Sequence, residues 1–195
     1  MALRLASIYL QRGDIHNLGH ILESINVLSL EEREKGKYYY LKGIYNYEIS
    51  SLDESIINFQ RSRMIFTELG DYDSVSECLV NVAQCYESLN NFKEAAKIQE
   101  SLLAYMEAKF GNKKLTAQVL SDLAINYARM ENYTKVIPLL NRADELAYSQ
   151  NDDILRIIIA RKFVEYYEVL GDNIKMKQYE NQERKLLNKM KNLES

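Results

Sequence analysis

The chain has 195 residues, 47% of them hydrophobic and 27% charged, which is enough apolar material for one or two folded domains and excludes a disordered polymer. No apolar run approaches the roughly 20 residues that span a bilayer, and the opening Met-Ala-Leu-Arg-Leu lacks the basic-then-apolar order of a secretory signal, so a cytoplasmic protein is expected. A formal net charge of -3 argues against this segment itself gripping a phosphate backbone, which takes clustered Lys and Arg.

In chain order, the first predicted pair of helices meets at Tyr9-Leu-Gln-Arg-Gly-Asp-Ile15. That frame has an aromatic residue, three residues, a turn-former or Glu, then Asp or Asn, then usually an apolar residue. It returns at Asn46 to Leu52, where Asn replaces Tyr, and then at Tyr86 to Phe92, Tyr127 to Tyr133 and Tyr167 to Asn173. The fifth position falls at Gly13, Ser50, Asn90, Glu131 and Gly171, spaced 37, 40, 41 and 40 residues apart. A second series of breaks lies between these, at Leu69-Gly70-Asp71, Phe110-Gly111-Asn112 and Gln150-Asn151-Asp152.

Two interleaved series mean two helices per repeat. Gly or Asn can end a helix in the left-handed conformation, and the Asp, Asn or Ser that follows can cap the next one. Ser51 with Glu54, and Asn91 with Glu94, have the spacing of capping boxes. Glu31, Glu32 and Glu34 open a helix, where negative charge suits the dipole, and are assigned to the surface. Within the fourth pair Leu115, Val119, Leu120, Leu123 and Tyr127 recur at three and four, which marks one buried face. Pro138 sits inside the second helix of that pair and is expected to bend it or delay its start. The final segment, 174–195, interleaves Lys175, Lys177, Arg184, Lys185, Lys189 and Lys191 with Leu186, Leu187, Met190 and Leu193, and reads as a capping helix. No strand is expected. The start has no comparable cap, so a preceding segment or a partner subunit is expected to cover it.

Three residues before the frame aromatic, each first helix places a small residue, Ala6, Gly43, Ala83 or Ala124, with Val164 the exception. The second helices carry Leu18, Ser55, Ala95, Val136 and Met176 nine residues after the frame position. This pattern resembles the tetratricopeptide repeat across nearly the whole chain, with a longer period, no Trp and no proline after each pair. The resemblance implies an all-α, right-handed α-solenoid of about five antiparallel helix pairs, about ten helices, in a single domain over residues 1–195. Stacked pairs of this kind create a concave groove that holds a peptide.

Helix geometry then proposes the inner surface: Arg4 and Ser7; Lys37, Tyr40 and Tyr47; Asn81, Gln84 and Ser88; Gln118, Ser121, Asp122 and Arg129; Arg161, Lys162 and Glu165. Asn and Gln can both donate to and accept from a peptide main chain, while Arg161 and Lys162 could take a carboxylate. Five degenerate pairs of about forty residues, Asn81 on an inner helix and a Tyr- and Asn-rich composition without Trp together resemble the peptide-sensing domain of bacterial pheromone receptors of the Rap, NprR, PlcR and Rgg type. That resemblance implies a quorum-sensing regulator in which a short peptide, aided by Asn side chains, changes the output of an N-terminal effector domain, one DNA-binding in some members. These residues include no such domain, so the chain is either a fragment of a larger regulator or one without direct DNA contact. The partners expected are a short peptide or protein segment and a second copy of the chain as a homodimer, with no nucleic acid and no membrane. The alternative is a passive scaffold with a constitutive protein partner.

No catalytic residue, cofactor or metal site is expected. His16 and His20 share a helical face, but Asn-Leu-Gly between them lacks the Glu of a metalloprotease motif and no third ligand is evident. Cys78 and Cys85 lie seven positions apart on one helix, roughly 10 Å at 1.5 Å per residue, too far for a disulfide. They read as buried free thiols. Tyr38-Tyr39-Tyr40 point in three directions on a helix, so at least one belongs to the core rather than to a base-stacking surface.

Overall fold

The computed structural model describes residues 2–108 and 112–192, and among these the secondary structure is helical throughout, without a strand. The elements are α1 (Ala2–Gln11), α2 (Ile15–Glu23), a 3-10 turn (Val27–Ser29), α3 (Glu32–Glu48), α4 (Leu52–Glu68), α5 (Tyr72–Ser88), α6 (Phe92–Ala108), α7 (Lys113–Arg129), α8 (Tyr133–Ser149), α9 (Asp153–Val169) and α10 (Asn173–Lys191). They form two compact units, Met1–Ile98 and Gln99–Ser195. None of the described helices is long and apolar enough to cross a membrane.

The repeating frame is a helix-ending motif. Gly13, Ser50, Asn90, Glu131 and Gly171 all have φ between 57° and 70°, and so do Gly70 at 66° and, nearly, Asn151 at 53°. At each break the N–H three places past the helix end returns to a carbonyl five residues back: Asp14 to Tyr9 at 2.9 Å, Ser51 to Asn46 at 2.8 Å, Asn91 to Tyr86 at 2.8 Å, Asn132 to Tyr127 at 2.9 Å and Asp172 to Tyr167 at 3.0 Å. This is the Schellman arrangement, and it explains why the frame runs from the aromatic to the capping residue. The next helix then starts on the side chains of Asp14, Asp71, Asn112, Asp152 and Asp172, which accept backbone N–H groups of its first turn. Asn91 accepts from the Glu94 N–H at 3.3 Å. Ser51 stands at the head of α4 but makes no side-chain cap bond, so the capping box expected there does not form. The break expected at Phe110-Gly111 lies outside the described residues, as does Leu193.

A left-handed conformation costs a side chain with a Cβ roughly 1–2 kcal/mol, while glycine there forfeits about 0.4–1 kcal/mol through the freer unfolded chain. Glu131→Gly is therefore expected to raise stability by about 0.5–1 kcal/mol in urea titration, and Gly13→Ala to lower it. A loss of stability in Glu131→Gly would mean that its side chain, not its backbone, holds the turn.

Pro138 does not delay its helix. α8 begins at Tyr133 and runs unbroken to Ser149. The carbonyl that loses its donor belongs to Thr134, one exposed turn earlier, where water can satisfy it.

In the first unit, α1, α2 and α3 close around Ala6, Leu18, Leu22 and Leu41. α3, α4 and α5 close around Ile56, Phe59, Val82 and Cys85 at one end and Phe66, Val75 and Cys78 at the other. The expected small positions Ala6, Gly43, Ala83 and Ala124 are all buried, and Val164 is half-buried. Two glycines set the approach of α4 to α3. A Cβ on Gly43 would lie 2.7 Å from the Phe59 ring, and one on Gly36 2.9 Å from Phe66. The same close approach makes a polar seam. Ser55 Oγ donates to the Gly43 carbonyl at 2.8 Å and lies 3.3 Å from Cys85 Sγ; Ser62 Oγ donates to the Gly36 carbonyl at 2.9 Å and accepts from Cys78 Sγ at 3.3 Å. Both thiols are free and buried, as the spacing required. Burial pushes Cys78 up to about 11 and Cys85 upward as well.

In the second unit α7 pairs with α8 and α9 with α10, while α8 and α7 both touch α9. Leu120, Ala124, Val136, Leu140, Ile159 and Phe163 are fully or almost fully buried. A buried Asn126 Nδ2 donates to Gln99 Oε1 at 2.8 Å. α10 covers α9 through Tyr179, stacked 4.0 Å from Phe163, and through buried Leu186.

Candidate groove-lining site

The inner helices of the first unit are α1, α3 and α5, and the residues expected there come together. Tyr47 Oη lies 3.1 Å from Ser88 Oγ. Asn81 Nδ2 donates to Tyr40 Oη at 3.3 Å and to the Glu77 carbonyl, one turn earlier, at 2.8 Å. The Asn81 amide is thereby oriented, with its own carbonyl oxygen left to accept. Gln84 is half-buried beside it and Lys37 is exposed.

Between these helices lies a cavity of about 560 Å³. Its apolar surface comes from Leu3, Leu10, Leu41 and Phe66, and its polar lining from Arg4, Ser7 and Gln11 on α1, Glu34, Lys37 and Tyr40 on α3, and Ser74 and Glu77 on α5. Arg4, Ser7, Lys37 and Tyr40 were expected there. Gln11, Glu34, Ser74, Glu77 and Phe66 were not. Burial raises the Tyr40 hydroxyl above its ordinary range, with Glu77 adding to it. Glu77 itself is raised, first by burial and then by the like charges of Asp73 and Asp71.

In the second unit the charged residues expected at the site find protein partners instead. Lys162 Nζ donates to Asp122 and, at 3.1 Å, to the buried Ser121 Oγ, tying α9 to α7. Arg129 and Glu165 pair at 3.1 Å across the same two helices, both about half exposed. Gln118 is half-buried on α7. Arg161 turns the other way, donating to Glu183 of α10 at 2.6 Å. Arg161 thus meets Glu183 through Nε alone, while Lys162 already holds Asp122 and Ser121.

Elsewhere, His16 and His20 are exposed with their Nε2 atoms 3.1 Å apart. Among the described residues no group of three His, Cys, Asp or Glu side chains is arranged to hold a metal ion. Tyr38 packs against the α1–α3 core and Tyr40 against Phe59 at 5.7 Å, while Tyr39 lies under Arg61.

No known family profile matches the sequence. Nor does any curated protein. Solved structures do. The apo form of RapI superposes with a TM-score of 0.86 at 16% identity, over 98% of this chain and 70% of that one. A kinesin light chain of Podospora anserina built of nearly identical tetratricopeptide-like repeats gives 0.78 at 15% identity, over 98% and 95%. A Rap protein complexed with competence and sporulation factor gives 0.76 at 12% identity, over 95% of this chain and 52% of that one. The fold of this chain is therefore that of the tetratricopeptide-like repeat proteins, and Rap proteins are among those that share it.

Proposed function

We propose that the chain is a binding module without catalytic activity, the ligand-sensing part of a bacterial peptide-responsive regulator of the quorum-sensing kind, acting in the cytoplasm on transcription or its control. The observation that carries this reading is the cavity across α1, α3 and α5, where the unpaired charges of Arg4, Lys37 and Glu77 stand over an apolar floor and the Tyr40 hydroxyl is held by the oriented amide of Asn81 beside it. That mixture suits a peptide, whose main chain needs donors and acceptors while its side chains need apolar seats. A Rap protein of the same fold has been solved with competence and sporulation factor, which supports the peptide class of ligand. The two buried free thiols accord with a reducing compartment.

A passive scaffold is the second reading. It is favoured by the second unit, whose inner-face charges are consumed by one another in the Lys162–Asp122 and Arg129–Glu165 pairs.

Thermal melting against a pool of short peptides encoded beside the gene, with light scattering for mass, separates the two. A regulator at a ligand concentration 100 times Kd gains about 2.7 kcal/mol, several degrees in Tm, from one peptide and not from its scrambled version. No shift with any peptide in a folded, helical sample would transfer support to the scaffold, which should instead bind a folded protein and ignore free peptides.

A further inference from the structure

Within the peptide-binding reading, on which this inference rests, the cavity of the first unit carries an electrical polarity. Of the cations expected on the inner surface, Arg129 is paired with Glu165, Arg161 with Glu183 and Lys162 with Asp122. Arg4 on α1 and Lys37 on α3 both line the cavity, and neither has an ion-pair or hydrogen-bond partner among the described residues. On the far side, Glu77 of α5 also lines it, and its carboxylate likewise has no partner among the described residues. The other charges near it do not neutralise it: Asp71 is held by Arg33 at 2.7 Å, Asp73 adds like charge, and Glu34 turns to its own helix start, accepting from the Glu31 N–H at 3.4 Å. Cations at α1 and α3, and an anion at α5, therefore face one open-sided cavity with Leu10, Leu41 and Phe66 among them.

Packed helix axes stand about 8–10 Å apart, so the two poles lie roughly 10–20 Å apart, and an extended peptide covers about 3.3 Å per residue. We infer that the cavity selects a short peptide carrying both signs of charge, an anionic group held by Arg4 and Lys37 and, about three to five residues away, a cationic group held by Glu77, with apolar side chains between them. Partly desolvated charge pairs of this kind contribute more to choosing a partner and its direction than to raw affinity, because the wrong sign at either pole is repelled.

The test uses the full chain and four acetylated, amidated pentapeptides: Glu-Leu-Ala-Leu-Lys, the two versions with Gln at one charged end, and the version with Gln at both. Calorimetric titration should show the doubly charged peptide binding at least tenfold more tightly than the neutral one. In Lys37→Met, where Arg4 remains, the preference for Glu over Gln should fall at least threefold while that for Lys over Gln persists; in Glu77→Gln the preference for Lys over Gln should be the one lost. Both substitutions are at exposed positions, and each readout is a ratio within one variant, so a change in overall stability does not mimic the result. A fifth peptide, with neutral side chains at the acidic end and a free C-terminal carboxylate, distinguishes a terminal from a side-chain anion: whichever form responds to Lys37→Met is the one the cations hold. Equal binding of charged and neutral peptides would overturn the polarity and leave the groove reading standing. Uniform weakening of all four by both substitutions would also overturn it. Failure of every peptide to bind would count against the cavity as a peptide site, and so against both readings.

Discussion

Phe59→Ala is expected to lower the unfolding free energy by about 3–5 kcal/mol, a large part of the stability of an ordinary domain. The ring is 1% exposed and packs into the α3–α5 core beside Ile56, Val82 and Cys85. Its removal deletes the transfer free energy of a benzyl group and leaves a hole that Gly43, with no side chain, cannot fill. Urea titration followed by helical ellipticity should show a lower midpoint with little change in slope. A change below about 1 kcal/mol would mean that α3 and α4 can close on each other without the ring, which the 2.8 Å bond from Ser55 to the Gly43 carbonyl should prevent.

Gly43→Val approaches the same contact from the other side and is expected to destabilise by about 3 kcal/mol or more. The first added atom would already sit 2.7 Å from the Phe59 ring, with the near edge and the ring's root atom both within 2.9 Å, so the ring cannot simply swing clear. Helix propensity acts in the opposite direction, favouring any residue over glycine by up to about 1 kcal/mol, too little to reverse the sign. The two effects should be coupled. In the Phe59→Ala background, Gly43→Ala adds a methyl into the vacated space, so its cost should disappear or become a gain, a non-additivity of about 1–3 kcal/mol. Strict additivity would show that position 43 is sensitive for a reason other than the ring.

The repeat frame was readable because the backbone demands it. A chain that must turn back at the end of each helix needs one left-handed residue, and that demand recurs at Gly13, Ser50, Asn90, Glu131 and Gly171 whatever else drifts. Ser50 and Glu131 show that the demand restricts conformation more than residue type. The small positions were readable for the same kind of reason, since Gly43 must admit a ring. The site was only partly legible. Lys37, Tyr40 and Asn81 follow from helical direction, and stepping back one turn from Asn81 on the same face would have reached Glu77. Phe66 could not be found that way, because it enters the cavity from the paired helix α4. The Arg161–Glu183 bond was not legible, because a long side chain carries its charge several ångströms beyond the Cβ. Cβ direction settles where short side chains act; for Arg and Lys the nearest carboxylate settles it.

The seam of Gly36, Ser62 and Cys78, and its twin of Gly43, Ser55 and Cys85, shields both thiols from oxidants while the first unit is folded. The Cys78 thiol, held at about 11, is ionised in only about one part in ten thousand at neutral pH, burial raises Cys85 as well, and the thiolate is the reactive species. Each sulfur is also engaged with a serine that is itself anchored to a glycine carbonyl, so neither can be reached without parting α4 from α3 or α5. At these two cysteines, peroxide or glutathione disulfide would therefore register only those molecules whose first unit had opened.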